Sequence, residues 1–168
     1  MIRSATTDDA PAILGIYDHY VRETVITFET EPPSVDEMRR RIETVSADYP
    51  YFVWEENGEV LGYAYASQWH ARAAYGRTVE SSVYVRSDRG GRGIGTDLYG
   101  RLLQELRDRD FHAVVACIAL PNEPSRRLHE RFGFRESGRL AEVGRKFDRW
   151  IDVGYWTLTL EEASSSCR

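Results

Sequence analysis

The chain has 168 residues, 42% of them hydrophobic, and its 22 basic and 27 acidic side chains give a formal net charge of −5. This length and composition indicate one globular domain with a substantial core and exclude an intrinsically disordered chain. The negative charge argues against nucleic acid as a partner. No apolar run approaches the roughly 18 residues needed to span a membrane, so we expect no membrane partner.

The N-terminal segment and the cysteine content point to a cytoplasmic protein. The first residues lack the basic-then-apolar layout of a signal peptide. Two cysteines are too few for a disulfide framework. Cys117 lies in an apolar run and is expected to be buried, whereas Cys167 lies in the tail SSSCR. We predict one domain over residues 1–160 and a disordered tail over residues 161–168.

The first part of the chain predicts a strand, two helices and a hairpin, in that order. The run IRSAT can form a strand, and the helical run that follows carries Pro11 in its first turn. The second helix begins with Ser34 and Glu37, which are spaced as a capping box. Two strand-like runs flank Asn57 and Gly58, a dipeptide that is typical of hairpin turns.

The second part of the chain alternates strands and helices. TVESSVYV predicts a strand, the apolar run HAVVACIAL a central strand, NEPSRRLHERF a short helix and VGYWTLTL the last strand. Between the first two lies a helix with an apolar stripe of Ile94, Leu98, Leu102 and Leu106. The predicted order is β-α-α-β-β-β-α-β-α-β-β. This order indicates an α/β fold with a central mixed sheet.

The segment GRGIGT, Gly91–Thr96, joins a strand to a helix and predicts an anion site. The first backbone N–H groups of a helix lack internal partners and carry the positive end of its dipole. Glycines let such groups converge on a ligand. The loop lacks the lysine of a nucleotide-hydrolysing P-loop and departs from the dinucleotide fingerprint. We expect a phosphate or pyrophosphate here; the alternative is a plain turn with solvated Arg89 and Arg92.

Segments before and after this loop resemble the GNAT acetyltransferases and, more closely, the phosphinothricin N-acetyltransferase family. The resemblance covers residues 2–160. It is carried by TVITFETEP, YPYFVWEENGEVLGYAYAS, ARAAYGRTVESSVYV, RGGRGIGTDLY, ALPNEPSRRLHERFGF and DRWIDVGYWTL. It implies a GNAT fold, with a mixed, mostly antiparallel sheet of about seven strands flanked by about four helices. We also expect a homodimer, with Lys146, Arg149 and Trp150 at the dimer contact or in the cleft wall.

The resemblance implies acetyl-CoA as the donor. The backbone of Val83, Tyr84 and Val85 would pair with the pantetheine arm like an added strand. The pyrophosphate would lie on the loop formed by Gly91, Arg92, Gly93, Ile94, Gly95 and Thr96, and Asn122 and Ser125 would contact the cofactor from the short helix. The family usually carries Gln or Arg where this chain has Gly90, so the side-chain contribution at that position is open.

Glu80 is the candidate general base. An α-ammonium group is mostly protonated at neutral pH, so a base must remove its proton before the amine can attack a thioester. Strand alternation puts Glu80 on one face with Thr78, Ser82 and Tyr84. Burial of a carboxylate there raises its pKa unless a cation neutralises it. The family resemblance places the catalytic glutamate at Glu80; the alternative is a salt-bridged structural carboxylate or a strand-edge residue.

His129 is the second catalytic candidate. In a helix that begins near Asn122, the side chains of Asn122, Ser125 and His129 share one face. The resemblance implies a catalytic histidine that acts as acid toward the departing thiolate or assists Glu80. A solvated surface histidine is the alternative. No spaced cluster of histidine, cysteine and carboxylate side chains occurs, so we expect no metal.

Acceptor contacts are expected from the loop SQWHARAAYGRT and from TFET. Arg72 and Tyr75 match positions that the family uses near the acceptor, and Phe28 lies in the second segment. A guanidinium can bind a carboxylate or phosphinate through two hydrogen bonds. Arg72 as a solvated loop charge is the alternative, and His70 and Arg77 are expected to have no role.

The resulting hypothesis is an acetyl-CoA-dependent N-acetyltransferase. The family suggests phosphinothricin, methionine sulfoximine or methionine sulfone as the small amino-acid acceptor, acetylated by direct attack in a ternary complex. Two alternatives stay open. The acceptor could be another amine or a protein N-terminus, or the chain could be a CoA-binding sensor without catalysis.

Overall fold

The computed structural model describes residues 1–160, and its main elements follow the predicted order. The predicted tail, residues 161–168, lies outside the described residues. The strands are β1 (Ile2–Ser4), β2 (Tyr51–Glu56), β3 (Glu59–Gln68), β4 (Thr78–Val85), β5 (Ala113–Leu120), β6 (Arg135–Lys146) and β7 (Arg149–Thr159). The helices are α1 (Ala10–Glu23), α2 (Val35–Asp48), α3 (Ile94–Asp108) and α4 (Glu123–Arg131). Helix α1 carries Pro11 in its first turn, as predicted.

The seven strands form one mixed sheet in the order β1-β2-β3-β4-β5-β7-β6. Neighbouring strands are antiparallel except β4 and β5, which are parallel. The mostly antiparallel sheet implied by the family resemblance is therefore confirmed. Strands β4 and β5 pair only from Thr78–Glu80 to Ala113–Val115, and they separate beyond that point. The separation opens the middle of the sheet.

Helices cover both faces of the sheet. On one face, α3 buries the predicted stripe of Ile94, Leu98, Leu102 and Leu106 against the strands. On the other face, α1 and α2 bury a second cluster that includes Ile13. Burial of this apolar area, at about 25 cal/mol per Å², is the main force holding the layers together. No helix within residues 1–160 is long and apolar enough to cross a membrane.

Two predicted local motifs are present, one of them in part. Asn57 and Gly58 both have positive φ, 53° and 81°, as a tight two-residue hairpin turn requires. At the start of α2, the Ser34 hydroxyl accepts a hydrogen bond from the Glu37 backbone N–H at 3.1 Å. The predicted capping box is only half formed, because the Glu37 carboxylate instead binds Arg40 and Arg41 of the same helix.

The last hairpin is longer than the sequence predicted. The predicted final strand begins at Val153, whereas β7 begins at Arg149 and β6 extends over twelve residues. Strand β6 lies at the sheet edge and is exposed along most of its length. It therefore lacks the alternation of apolar and polar residues that marks a half-buried strand.

Candidate active site

A gap opens in the sheet immediately after the last β4–β5 pair, Glu80 with Val115. Beyond Glu80, residues 81–85 of β4 pair with β3 on one side and have no ladder partner on the β5 side. A small cavity of about 50 Å³ occupies this strand gap; its lining includes Val83, Tyr84, Asn122, Ser125 and His129. The free strand edge gives an extended ligand backbone groups to pair with.

The glycine loop borders a second cavity, of about 430 Å³, between α3 and α4. Gly91 and Gly93 have φ of 77° and 83°, in the left-handed region that favours glycine, and Gly93 is the N-cap of α3. A Cβ built at either glycine would meet no atom within 4 Å. The space above the backbone is therefore open to a ligand at the positive end of the α3 dipole.

Arginines contribute further positive charge to this loop cavity. Arg89, Arg127 and Arg131 line it beside Gly90, Gly91, Gly93, Ile94, Gly95 and Thr96. The Arg89 Nε is buried and lacks a hydrogen-bond partner among residues 1–160, with the Asp88 carboxylate 3.5 Å away. Arg92, which was predicted to contact the pyrophosphate, does not line the cavity, and its guanidinium lies 3.4 Å from the Glu56 carboxylate. Arg89 therefore lies in this cavity beside Gly90.

A third cavity, of about 460 Å³, contains Glu80, and we call it the Glu80 cavity. Its lining comprises Ile26, Thr27, Phe28, Tyr65, Glu80, Ser82, Tyr84, Cys117, Ala119, Val143, Val153 and Tyr155. Several of these residues, including Ser82, Tyr84 and Cys117, also line the strand gap. The two cavities are therefore adjacent. The volume of the Glu80 cavity suits a small molecule.

Glu80 lies on the predicted strand face and is half-buried. Burial raises the pKa of its carboxyl, while the Cys117 thiol and the positive charge available at His70 lower it. Glu80 forms no ion pair with the residues that the structure describes. Among residues 1–160, no basic side chain is therefore available to make Glu80 a salt-bridged structural carboxylate.

Cys117 is exposed to the cavity, so the prediction that it is buried is wrong. Its apolar neighbours Ala116 and Ile118 are buried on the opposite face of β5. Cys117 lies two residues after Val115, the pair of Glu80, so alternation places it on the same face of the sheet as Glu80. Burial within the cleft and the charge of Glu80 raise the pKa of the thiol to about 12.

His129 is buried, with 4% of its surface exposed, so the alternative of a solvated surface histidine is wrong. Its Nδ1 lies 2.7 Å from the Ser125 carbonyl oxygen, and the Ser125 backbone N–H donates to the Asn122 side chain at 3.2 Å. A carbonyl can only accept, so we infer that Nδ1 carries the proton. Burial lowers the pKa of the imidazole. His129 is thus neutral near pH 7, with an unprotonated Nε2 that has no partner within residues 1–160.

The loop after β3 approaches the Glu80 cavity through Trp69, whose ring lies 6.0 Å, centroid to centroid, from that of the lining residue Tyr155. Arg72 is exposed, precedes the short turn Ala73–Tyr75, and does not line the cavity. Tyr75 is 39% exposed, and its ring contacts that of His70 at a centroid distance of 5.1 Å. His70, for which we predicted no role, is the loop side chain that acts electrostatically on Glu80. Arg77 is bound to Asp110, in agreement with a structural role.

Tyr65, Thr27 and Tyr155 line the Glu80 cavity but were not predicted. The alternation in YAYA could have identified Tyr65, because Tyr65 pairs with Ser82 on the Glu80 face of the sheet. The positions of Thr27 and Tyr155 depend on long-range packing and leave no local signal. Among residues 1–160, no three histidine, cysteine or acidic side chains form a group that could hold a metal ion.

Comparisons with known proteins identify the family. A family described as acetyltransferase (GNAT) domain matches residues 2–154. The chain is 45% identical over 159 residues to phosphinothricin N-acetyltransferase of Streptomyces coelicolor, covering 92% of this chain and 93% of the relative. It is 37% identical over 167 residues to the L-methionine sulfoximine/L-methionine sulfone acetyltransferase of Pseudomonas aeruginosa, covering 98% and 97% of the two chains.

A solved structure extends this agreement to the fold. The GNAT superfamily phosphinothricin acetyltransferase of Sinorhizobium meliloti, in complex with AcCoA, superimposes with a TM-score of 0.93 at 35% identity. The match covers 99% of this chain and 91% of that one. The divided sheet, the glycine loop at the start of α3 and the extent of these matches agree: the chain belongs to the GNAT acetyltransferase family.

Proposed function

We propose that the protein transfers the acetyl group of acetyl-CoA to the α-amine of a small amino-acid-like acceptor, such as phosphinothricin, methionine sulfoximine or methionine sulfone. The main support for this proposal is the position of Glu80. This half-buried carboxylate lies at the start of the strand gap and lines a cavity of about 460 Å³. The names of the relatives support this acceptor class.

The residues around the gap and the loop fit the donor. Val83, Tyr84 and Val85 lie on the β4 edge that has no β5 partner, where the Val85 carbonyl accepts a hydrogen bond from the Tyr20 hydroxyl. The open left-handed glycines lie at the α3 N-terminus, and Asn122 and Ser125 line the gap. Arg89, Arg127 and Arg131 supply charge for phosphate groups. Acetyl-CoA, when bound, supplies the acetyl group as an activated thioester.

Glu80 acts as the general base for the acceptor. Burial raises the pKa of its carboxyl, which makes the carboxylate a better proton acceptor than a solvated one. The proton comes from the α-ammonium group, directly or through one water. Free of an ion pair with residues 1–160, Glu80 can take up this proton without breaking a salt bridge.

His129 assists as an acceptor rather than as an acid. Because its Nδ1–H is engaged with the Ser125 carbonyl, the group left free is the lone pair on Nε2. A neutral imidazole in this tautomer accepts a proton but has no free N–H to donate. Of the roles left open by the sequence, auxiliary base is the one that this geometry favours.

Direct attack is favoured over an acyl-enzyme on Cys117. Cys117 is the one thiol lining the Glu80 cavity, but a pKa raised to about 12 keeps it protonated at neutral pH. The thiolate, not the thiol, is the nucleophile. The amine is therefore the better nucleophile in this cavity once Glu80 has taken its proton. Its attack on the acetyl carbonyl carbon would form the C–N bond and break the C–S bond, and CoA would leave as a thiolate that takes a proton from solvent.

The acceptor binds with its acid group toward Arg72 and its side chain toward Phe28. Arg72 forms no ion pair with the described part of the chain, so its guanidinium is available to a carboxylate or phosphinate. Tyr75 lies on the same loop, and Phe28 lines the cavity. The mixture of polar and aromatic lining suits a small zwitterion with a compact side chain.

The protein acts as a homodimer through the β6–β7 hairpin. This hairpin lies at the edge of the sheet and exposes Leu140, Val143, Phe147 and Trp150, each with 47–60% of its surface accessible. Apolar side chains grouped at a sheet edge are typical of an interface. Sedimentation of the parent protein and of Trp150→Glu tests this, with a monomeric parent as the contradicting result.

The experiment for the activity is a CoA-release assay with a panel of amines. The panel contains the three amino acids above, the amide of one of them, and a short peptide with a free N-terminus. We expect turnover with the free amino acids and little with the amide or the peptide. Turnover with the peptide alone would support the N-terminal alternative, and acetyl-CoA binding without any turnover would support the sensor.

A further inference from the structure

Two buried residues interrupt the exposed strand β6. From Arg135 to Lys146, every residue is exposed except Gly144 and Lys146. Positions two apart on a strand face the same side. Both residues are covered by the connection between α1 and α2, whose members Thr27 and Phe28 line the Glu80 cavity.

Gly144 provides the space for the Phe28 ring. A Cβ built at Gly144 would lie 2.1 Å from Cε2 and 2.3 Å from Cζ of Phe28, far inside van der Waals contact. Gly144 is not among the glycines with positive φ, so its backbone conformation does not require glycine. Position 144 therefore needs a residue without a side chain, because the Phe28 ring lies directly on the β6 backbone there.

Lys146 fixes the residue next to Phe28. Its Nζ donates to the Thr27 carbonyl oxygen at 2.8 Å, and the side chain is 4% exposed. It forms no salt bridge within residues 1–160. The Thr27 hydroxyl is in turn 2.7 Å from the Tyr17 hydroxyl of α1. Thr27 is thus tied to both β6 and α1, with Phe28 immediately after it.

We infer that Gly144 and Lys146 are positioning residues that hold Phe28 and Thr27 as the wall of the acceptor site and so determine which acceptors fit against Glu80. The inference rests on the proposed function, because it takes the Glu80 cavity as the acceptor site. Neither residue lines the cavity, and both act through the segment that they hold.

The test is a double-mutant cycle of Gly144→Ala and Phe28→Ala. We expect Gly144→Ala to raise the KM of the acceptor about tenfold, with the KM of acetyl-CoA unchanged, because the added methyl group displaces the ring. In the Phe28→Ala background, the same change should have no further effect, since the ring is absent. Gly138→Ala is the matched control: it is also on β6, has no positive φ, and its added Cβ would meet nothing within 4 Å.

Lys146→Met tests the second contact. It keeps an unbranched side chain of similar size but removes the donor to the Thr27 carbonyl, and it should raise the acceptor KM in the same selective way. Phenylalanine ¹³C NMR without substrate reports the ring directly: the Phe28 signals should shift in Gly144→Ala but not in Gly138→Ala.

These readouts separate the two ideas. A parent protein that acetylates none of the amines contradicts the proposed function, while the NMR shift still decides whether Gly144 places Phe28. An active parent whose acceptor KM is unchanged by Gly144→Ala, or changed equally in the presence and absence of Phe28, overturns the inference.

Discussion

Glu80 and Val115 form the last pair of the parallel ladder between β4 and β5. The residue with a carboxylate in the cavity is therefore also the residue at which the sheet divides. On one side of this point the strands are held by backbone hydrogen bonds, and on the other they are free to take a ligand between them. The proposed donor site therefore begins at the residue that carries the proposed base.

Replacing Glu80 with Gln should remove the base and keep the shape. We expect kcat to fall by about 100-fold or more, with the KM of acetyl-CoA little changed, because general base catalysis typically contributes about 10²–10⁴ in rate. In the parent enzyme, activity should decline as pH falls through the raised pKa of the Glu80 carboxyl. A variant that keeps the full rate and the parent's pH profile would make Glu80 structural.

The same change should increase stability at neutral pH. A carboxyl whose folded pKa is raised above its ordinary value of 4.5 binds protons more tightly in the folded state, so the parent loses stability as pH rises from 4.5 through the raised value. Glu80→Gln avoids this loss. Denaturant unfolding should show the variant with the higher free energy of unfolding. The difference should be largest at pH values above the raised pKa and absent near pH 4.5. A difference that is constant with pH would contradict the argument.

Replacing Gly93 with Val should weaken acetyl-CoA binding. The substitution adds a branched side chain where the backbone faces the loop cavity, and it strains a residue with φ of 83°. Gly58→Val is the control, since Gly58 has a similar φ of 81° but lies in the β2–β3 turn. Titration calorimetry should show a loss of affinity of about tenfold or more for Gly93→Val alone. Equal affinities in the two variants would remove the loop from the donor site.

Replacing Arg72 with Ala should affect the acceptor alone. A charge-assisted hydrogen-bonded pair contributes about 1.5–3 kcal/mol, so the KM of the acceptor should rise by about 10- to 100-fold. Arg72→Lys should recover part of this loss, because an ammonium group lacks the planar fork. Arg77→Ala is the matched loop variant, since Arg77 already binds Asp110 at 2.6 Å, and it should leave the KM unchanged. If the amide and the free amino acid respond equally to Arg72→Ala, the guanidinium does not bind the acid group.

His129 should remain neutral through the physiological range. Burial lowers the pKa of its imidazole below the ordinary 6.5, and the Ser125 carbonyl holds the proton on Nδ1. NMR titration with ¹⁵N-labelled histidine should therefore show a midpoint below 6.5 and the Nδ1–H tautomer. A midpoint above 6.5 would restore the role of His129 as an acid toward the thiolate.

The sequence predicts those features that depend on local periodicity. The stripe from Ile94 to Leu106 repeats at helical spacing and is buried as expected, and alternation in β4 places Glu80 on the cavity face. Cys117 was misassigned because its exposure depends on the cavity over this face of the sheet, which no local pattern records. The contact of Phe28 with Gly144 joins distant parts of the chain and was equally inaccessible. Strand β6 is counted in the predicted order but has no predicted bounds, because an exposed edge strand carries no hydrophobic alternation.

The short β4–β5 ladder divides the sheet into two half-sheets, one of β1–β4 and the other of β5, β7 and β6, joined across the sheet by three residue pairs. A donor lying in the gap would link the two halves beyond these three pairs. Binding of the donor should therefore stabilise the folded state. At a donor concentration of one hundred times its Kd, the free energy of unfolding rises by about 2.7 kcal/mol. Hydrogen exchange would show this gain as slower exchange at the amides of residues 81–85 and 116–120, on both sides of the gap.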